Sequence, residues 1–309
     1  MIRAAVKGIG MALPQRRVKN AELSEKVDTS DEWIFQRTGI RERRVVSEGE
    51  TTQTLALAAA QDALARAGIS GEAVDFTVLA TISPDQRWPA SACFIQDQLG
   101  SKGGAYDVSA ACAGFVYALD QGAAMIETGR AETVLVVGAD TLTTQLDWTD
   151  RGTCVLFGDG AGAVVLQGNA EGRGLLSSVL LSDGAGTKHL GLFDQYLTMN
   201  GKEVYRFAVK AMGDACERVI EKAGLQPSDI DLFVPHQANV RIISAAAERM
   251  GLSSEKVFVN VDRYGNTSGG SIPIALAEAE REGLLKPGML VLTVGFGGGL
   301  VWGANLIRW

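Results

Sequence analysis

The sequence predicts an α/β fold with helices covering both faces of its sheets, and three observations carry that prediction. Short β-rich runs alternate with alanine-rich helical stretches along most of the 309 residues. The strand candidates are continuous apolar runs, which suit sheets buried on both faces. The order of elements is also repeated in two halves, and strand–helix alternation of this kind is what places helices against a sheet.

In chain order, Thr51 to Ala67 reads as the first long helix and Phe76-Thr-Val-Leu-Ala-Thr as the first buried strand. Ala105 to Leu119 passes from an apolar strand through Ser109-Ala-Ala-Cys-Ala-Gly into a helix over Gly114 to Thr128. Thr133-Val-Leu-Val-Val-Gly is the next strand, and Phe157-Gly-Asp-Gly then leads into Ala-Gly-Ala-Val-Val-Leu. The second half offers helices over Phe207 to Ala223 and Val240 to Met250, with the short strand Asp231-Leu-Phe-Val-Pro between them. Val257 to Leu276 repeats the strand–turn–helix order through Asn266-Thr-Ser-Gly-Gly-Ser, with helix over Ile274 to Glu282. Leu290-Val-Leu-Thr-Val-Gly closes the series, and Phe296-Gly-Gly-Gly leads into Leu-Val-Trp-Gly-Ala-Asn-Leu. Ala67, Ala223 and Met250 each precede a glycine, where a left-handed helix cap belongs. The repetition divides the chain into halves 1–170 and 171–309, joined near residues 168–175.

Bulk properties narrow the function. Hydrophobic residues make up 46% and charged residues 21%, the balance of a soluble globular protein. The 37 glycines fall in short clusters, which indicates tight turns and close backbone approach rather than linkers. The N-terminus lacks the apolar core and cleavage site of a signal peptide. No stretch reaches the roughly 18 uninterrupted apolar residues of a spanning helix. The four cysteines, 93, 112, 154 and 216, form no CxxC pair, so structural zinc is not expected and reduced thiols in a cytoplasm are. A net charge of −7 argues against general nucleic-acid binding.

Three residues can do chemistry. Cys112 follows an apolar strand and three small residues and stands at a helix start, where unpaired N–H groups and the helix dipole favour thiolate over thiol. A free cysteine is more often a buried, inert residue. Cys93, Cys154 and Cys216 take that reading, whereas the setting of Cys112 reverses it. His236, one of two histidines, ends a strand, which is where active sites of α/β sheets collect. A lone histidine there also serves simply as a hydrogen-bonded structural residue. His189 lies in a Gly- and Asp-containing stretch that reads as a surface loop. Asn266 opens a turn and a helix, and alone it would be an N-cap.

In company, these residues resemble the β-ketoacyl-acyl carrier protein synthase III family of the thiolase-like superfamily. The resemblance covers nearly the whole chain. It runs through Thr29-Ser-Asp-Glu-Trp-Ile, Arg37-Thr-Gly-Ile-Arg-Glu-Arg, the Cys112 segment, Thr149-Asp-Arg-Gly-Thr and Phe157-Gly-Asp-Gly-Ala-Gly-Ala. Val234-Pro-His-Gln-Ala-Asn, Gly265-Asn-Thr-Ser and Phe296-Gly-Gly-Gly with Trp302-Gly complete it.

The resemblance implies a five-layer α-β-α-β-α fold of two related halves, a homodimer, and the reaction that begins fatty-acid synthesis. Cys112 would take a short acyl group, acetyl for preference, from acyl-CoA. Malonyl-acyl carrier protein would then lose carbon dioxide and capture that acyl group. By the same resemblance, the N–H groups of Cys112 and Gly298 form an oxyanion hole, and His236 and Asn266 donate to the enolate oxygen. No metal or redox cofactor is required, since acyl-CoA is a substrate. Trp33 and Arg151 match residues that sandwich the CoA adenine, and Arg37 and Asn239 match further CoA contacts. Trp88, Phe157 and Leu197 are assigned to the acyl pocket, with Trp88 reaching into the partner subunit's. The segment from Ser182 to Leu197 should help shape it.

Arg206 with Lys210, and Arg241 with Arg249, each share a helix face and form a candidate basic patch for an acidic carrier protein. Elongating synthases need a second histidine where this chain has Asn266, and thiolases need a second cysteine after Cys216, which this chain lacks. Two rivals survive this reading. One is a synthase III-like condensing enzyme or acyltransferase of secondary metabolism, and the other is a silent homologue that only binds CoA or carrier protein.

Overall fold

The computed structural model describes residues 2–309. β1 (Arg3–Ala12) opens the chain, and β2 (Arg16–Lys19) pairs with β3 (Glu42–Val45) around the short helices α1 (Asn20–Ser24) and α2 (Asp31–Thr38). Then come α3 (Thr52–Ala67), β4 (Phe76–Ala80), α4 (Ser91–Gln98), β5 (Gly104–Val108), α5 (Gly114–Glu127), β6 (Thr133–Thr141) and β7 (Asp159–Asn169). Beyond them lie β8 (Gly174–Ser182), a hairpin of β9 (Leu190–Leu192) and β10 (Leu197–Met199), and α6 (Gly201–Lys222). The chain ends with β11 (Leu232–Pro235), α7 (Val240–Arg249), α8 (Val261–Tyr264), α9 (Ser271–Arg281), β12 (Leu290–Gly297) and β13 (Val301–Arg308).

The strands form two main sheets, ordered β1-β7-β6-β4-β5 and β8-β13-β12-β11. In the first, β1–β7 and β7–β6 are antiparallel while β6–β4 and β4–β5 are parallel. The second repeats that sequence of pairings: β8–β13 and β13–β12 are antiparallel and β12–β11 is parallel. Phe233 of β11 then bridges Val257 in parallel, which is the place of β5 in the first sheet.

Five layers follow. α3 and α4 cover the outer face of the first sheet, α5 and α9 fill the space between the sheets, and α6 with α7 covers the outer face of the second. The central layer is apolar because both its faces are buried: Phe115, Val116, Leu119, Ile272 and Leu276 pack there with strand residues such as Val136, Val164 and Val291. Every residue of β6 and β12 is buried, as their continuous apolar runs require.

Local signals account for many boundaries. α3 begins where the Thr51 side chain accepts from Thr54 N–H, a cap that contributes about 1 kcal/mol. Gly68, Gly224 and Gly251 follow their helices with φ of 66°, 69° and 66°, the left-handed geometry expected of them. α6 starts six residues before the expected Phe207, because Asn200 caps it by accepting from Glu203 N–H at 3.3 Å. Cys93 corrects another expectation: it lies on the exposed side of α4 rather than in the core.

Candidate active site

The site is built where the ends of the two sheets meet. β5 stops at Val108, Ala111 turns with φ of 46°, and Cys112 follows in a single 3-10 turn directly before α5. A non-glycine residue at positive φ is strained, so this turn is held by its surroundings. Part of that hold is the backbone of β12. A Cβ on Gly297 would stand 2.5 Å from the Cys112 nitrogen, and glycine alone lets the two segments approach this closely.

Cys112 is 6% exposed. Its thiol donates to Ser268 Oγ at 3.3 Å. Burial pushes the thiol up to about 12, against a smaller opposing effect of the Ser268 hydroxyl. Burial thus runs against the expected resting thiolate and favours keeping the proton on sulfur.

His236 ends β11, its backbone N–H donating to Val294 O at 2.8 Å. Burial lowers its pKa to about 3, so the imidazole is neutral. Its Nδ1 lies 2.9 Å from Ser271 Oγ, which also accepts from Gln237 N–H at 2.7 Å. Among the described contacts, His236 Nδ1 is the partner available to the Ser271 hydroxyl proton. With the hydroxyl assigned as donor to Nδ1, the imidazole carries its proton on Nε2.

Asn266 is clamped by backbone pairing, its N–H donating to Leu156 O at 2.8 Å and its C=O accepting from Gly158 N–H at 3.0 Å. The Asn266 Oδ1 accepts from Ser268 N–H at 2.9 Å. With Oδ1 so engaged, the Nδ2 amide is the group left to donate.

Two cavities meet at the sulfur. One, of about 280 Å³, is lined by Cys112, His236, Asn266, Arg37, Asn239 and Arg241, among others. The other, of about 360 Å³, is lined by Cys112, Phe157, Leu190, Leu197, Gly298 and Val301, among others. The hairpin of β9 and β10, which overlaps the segment from Ser182 to Leu197, walls the second cavity.

The remaining sequence candidates divide. Trp33 is flanked by Arg37 at 4.7 Å and Arg151 at 4.9 Å from its ring, a stack that already brings the three together without a nucleotide. Asn239 donates from Nδ2 to Arg37 O at 3.0 Å and accepts Arg241 N–H at 2.9 Å, so much of its amide serves the start of α7. Trp88 is 83% exposed and lines neither cavity of its own chain. Of the four basic residues, two are paired with carboxylates. Arg249 is tied to Asp214 at 2.6 Å and to Glu217 at 2.7 Å, and Arg206 to Glu203 at 2.5 Å, which compensates both charges. Arg241 lies over the Tyr205 ring at 5.7 Å. His189 ends a 3-10 turn rather than lying in an irregular loop.

Sequence reasoning missed Ser268, Ser271 and Asp140. The first two stood in plain view inside the Asn266 turn, but their partners, Cys112 and His236, are distant in sequence. Among the described residues no cluster of metal-ligating side chains exists.

Known proteins resemble the chain over nearly its whole length. The 3-Oxoacyl-[acyl-carrier-protein (ACP)] synthase III family model matches residues 106–184, and the model of its C-terminal region matches residues 220–309. Beta-ketoacyl-[acyl-carrier-protein] synthase III 1 of Bacillus anthracis is 49% identical over 309 residues, covering 100% of this chain and 99% of that protein. The crystal structure of 3-oxoacyl-[acyl-carrier-protein] synthase III from Aquifex aeolicus VF5 superposes with a TM-score of 0.97 at 48% identity, covering 99% of this chain and 100% of that one. The priming beta-ketosynthase from the R1128 polyketide biosynthetic pathway gives 0.94 at 36% identity, with 98% and 96% covered.

Proposed function

The chain belongs to the 3-oxoacyl-[acyl-carrier-protein] synthase III family, and from that premise we propose that Cys112 is its nucleophile and His236 and Asn266 its enolate-binding pair. The protein is a condensing acyltransferase that initiates fatty-acid synthesis. Its inferred substrates are a short acyl-CoA, acetyl-CoA first, and malonyl-acyl carrier protein. The observation that carries the residue assignment is one buried thiol between two cavities, with a neutral imidazole and a free amide lining the first.

The Cys112 sulfur attacks the thioester carbonyl, and the Cys112 and Gly298 N–H groups hold the oxygen that becomes negative. The CoA thiolate leaves, and the acyl chain lies in the cavity of Phe157 and Leu197. Malonyl-acyl carrier protein then enters the first cavity. As its carboxylate departs as carbon dioxide, the thioester oxygen becomes an enolate and accepts from His236 Nε2–H and Asn266 Nδ2–H. Donors of this kind contribute about 3–4 kcal/mol each. The enolate carbon attacks the acyl-enzyme, and Cys112 is expelled as thiolate. No oxidation state changes, so the reading includes no cofactor.

Arg37, Arg151, Trp33 and Asn239 are the proposed CoA contacts, with Arg151 swinging off Trp33 to admit the adenine. Lys210 and Arg241 are the parts of the basic patch best placed to meet a carrier protein, since Arg206 and Arg249 already hold carboxylates. The exposed Trp88 supports a homodimer in which it faces the partner's acyl pocket. Residues 1–170 and 171–309 are taken as the two halves, and four free cysteines support a cytoplasmic setting. Similarity to the R1128 priming synthase favours one second reading, a primer other than acetyl in secondary metabolism. The higher identity to the other two relatives weighs against it.

Incubation with acetyl-CoA and with longer and branched acyl-CoAs, followed by malonyl-acyl carrier protein, tests this. An adduct on Cys112 and then a β-ketoacyl-carrier product is expected, and both disappear in Cys112→Ser. Acylation without condensation would indicate an acyltransferase, and no acylation by any donor would sink the enzyme reading.

A further inference from the structure

The nucleophile is a buried thiol, and something must take its proton before it can attack. His236 is the obvious base, but its geometry argues against it. Nδ1 is engaged by Ser271, and in that tautomer Nε2 already carries a proton, so neither nitrogen offers a lone pair to the thiol. The thiol instead donates to Ser268 Oγ.

Ser268 is 1% exposed and sits at φ of 48°, a conformation costly for any residue but glycine. Three contacts hold this turn in place. Asn266 Oδ1 accepts the Ser268 N–H, and Gly269 N–H donates to Asp140 Oδ2 at 2.8 Å. Gly138 in β6 lets the turn lie directly on the strand, since a Cβ there would stand 2.1 Å from Gly269 O.

Asp140 is wholly buried, and no cation pairs with it among the described residues. Its two oxygens are used unequally. Oδ1 accepts from Thr81 Oγ1 at 3.0 Å, Ile82 N at 2.8 Å, Ser83 N at 3.1 Å and Ser83 Oγ at 2.8 Å. Oδ2 accepts from the N–H of Gly269, the residue that follows Ser268. The Ser268 hydroxyl is close enough to favour the ionised carboxylate, although it makes no tight hydrogen bond to it at rest.

We propose that Ser268 is a catalytic residue that accepts the Cys112 thiol proton while passing its own to Asp140 Oδ2, so that the buried carboxylate keeps the nucleophile's proton throughout the acyl-enzyme stage. The Sγ–H bond breaks as Ser268 Oγ gains that proton, and the Ser268 O–H breaks as Oδ2 gains the other. The pair left on sulfur forms the bond to the thioester carbonyl carbon. The carbonyl–sulfur bond of the acyl-CoA breaks, and the CoA thiolate leaves with that pair and takes a proton from water. When condensation expels Cys112 as thiolate, the proton returns from Asp140 through Ser268.

Transfer within the set relocates one buried negative charge instead of creating a second, which keeps its cost low. Burial also raises Asp140 above the ordinary carboxylate range, in the direction that suits a proton holder. The charged and titratable groups around the pair are His236, which is neutral, Arg37 and Arg241 on the first cavity, and Asp159, whose carboxyl is raised by burial and further by Asp140.

The proposal rests on Cys112 being the nucleophile, so its test avoids the substrates. Alkylation of Cys112 by iodoacetamide, followed by mass spectrometry from pH 5 to 10, reads thiol activation alone. Ser268→Ala should slow alkylation at neutral pH by about 10²-fold, with a rate that climbs steadily toward alkaline pH, and Ser268→Thr should recover most of it. Alkylation of Ser268→Ala at the wild-type rate and pH profile overturns the proposal, as does slowing by His236→Ala alone. A second measurement needs no folded variant. The infrared difference spectrum of acetylated minus free wild-type enzyme should gain a protonated-carboxyl band. A spectrum without that band overturns Asp140 as the holder, whereas failure of Cys112 to acylate at all would count against the function and not against the relay.

Discussion

At the scale of single residues, the arrangement separates groups that touch the reacting atoms from one that orients them. In the proposed scheme Asn266 Nδ2 serves the enolate and takes no part in attack on acyl-CoA. Asn266→Ala should therefore lower condensation by about 10²–10³-fold while Cys112 still acylates, which single-turnover mass spectrometry of each half-reaction resolves. Ser271 acts through His236. Ser271→Ala should cost about 10–100-fold in condensation, and the nitrogen NMR shifts of the His236 imidazole should reveal a mixture of tautomers where the wild type holds one. A drop in rate with an unchanged tautomer would mean that the serine matters only for packing. Cys112 and His236 were legible from their places at strand ends. The protonation of Cys112 was not, because burial is created by β12 and the turn from Ser268 to Gly270, which are remote in sequence.

At the scale of elements, the nucleophile turn is tightened by the strand beneath it. Gly297→Ala places a methyl 2.5 Å from the Cys112 nitrogen. A loss of about 1–3 kcal/mol is expected from overpacking, read by denaturant melts, together with slowed acylation. Unchanged acylation would mean that the turn does not depend on this contact. The central strands β6 and β12 could be read directly, since Thr133-Val-Leu-Val-Val-Gly and Leu290-Val-Leu-Thr-Val-Gly have one plausible environment, a sheet covered on both sides. The start of α6 escaped that reading. Its first turn, Gly201-Lys-Glu-Val-Tyr-Arg, carries little apolar periodicity, and a single asparagine side chain sets its beginning. Cys93 misled for a related reason: helix membership does not say which face a residue occupies.

At the scale of the whole molecule, the buried neutral imidazole ties the fold to pH. The folded pKa of His236, about 3, lies below the unfolded value near 6.5, so the unfolded chain takes up this proton first. Its contribution is complete above pH 6.5 and is lost as the pH falls toward 3, at about 1.4 kcal/mol per unit. Asp159, raised to about 6, acts in the opposite sense between its unfolded value and pH 6, adding stability as the pH falls. Comparing urea melts of wild type and His236→Gln at pH 7 and pH 5 isolates the histidine. The wild type should lose about 2 kcal/mol more than the variant, and equal losses would show that His236 is already charged or accessible.

The two cavities that meet at Cys112 also impose an order in time. In the proposed assignment the acyl chain lies in the second cavity, and the thioester arms of both donors reach Cys112 through the first. CoA must therefore depart before the carrier-borne substrate can engage, and the two donors use the same doorway in turn. Initial rates measured against both substrates should give parallel double-reciprocal lines, with each donor inhibiting competitively at high concentration by occupying the other's form of the enzyme. Intersecting lines would mean that both donors are seated together, against the shared use of the first cavity proposed for them.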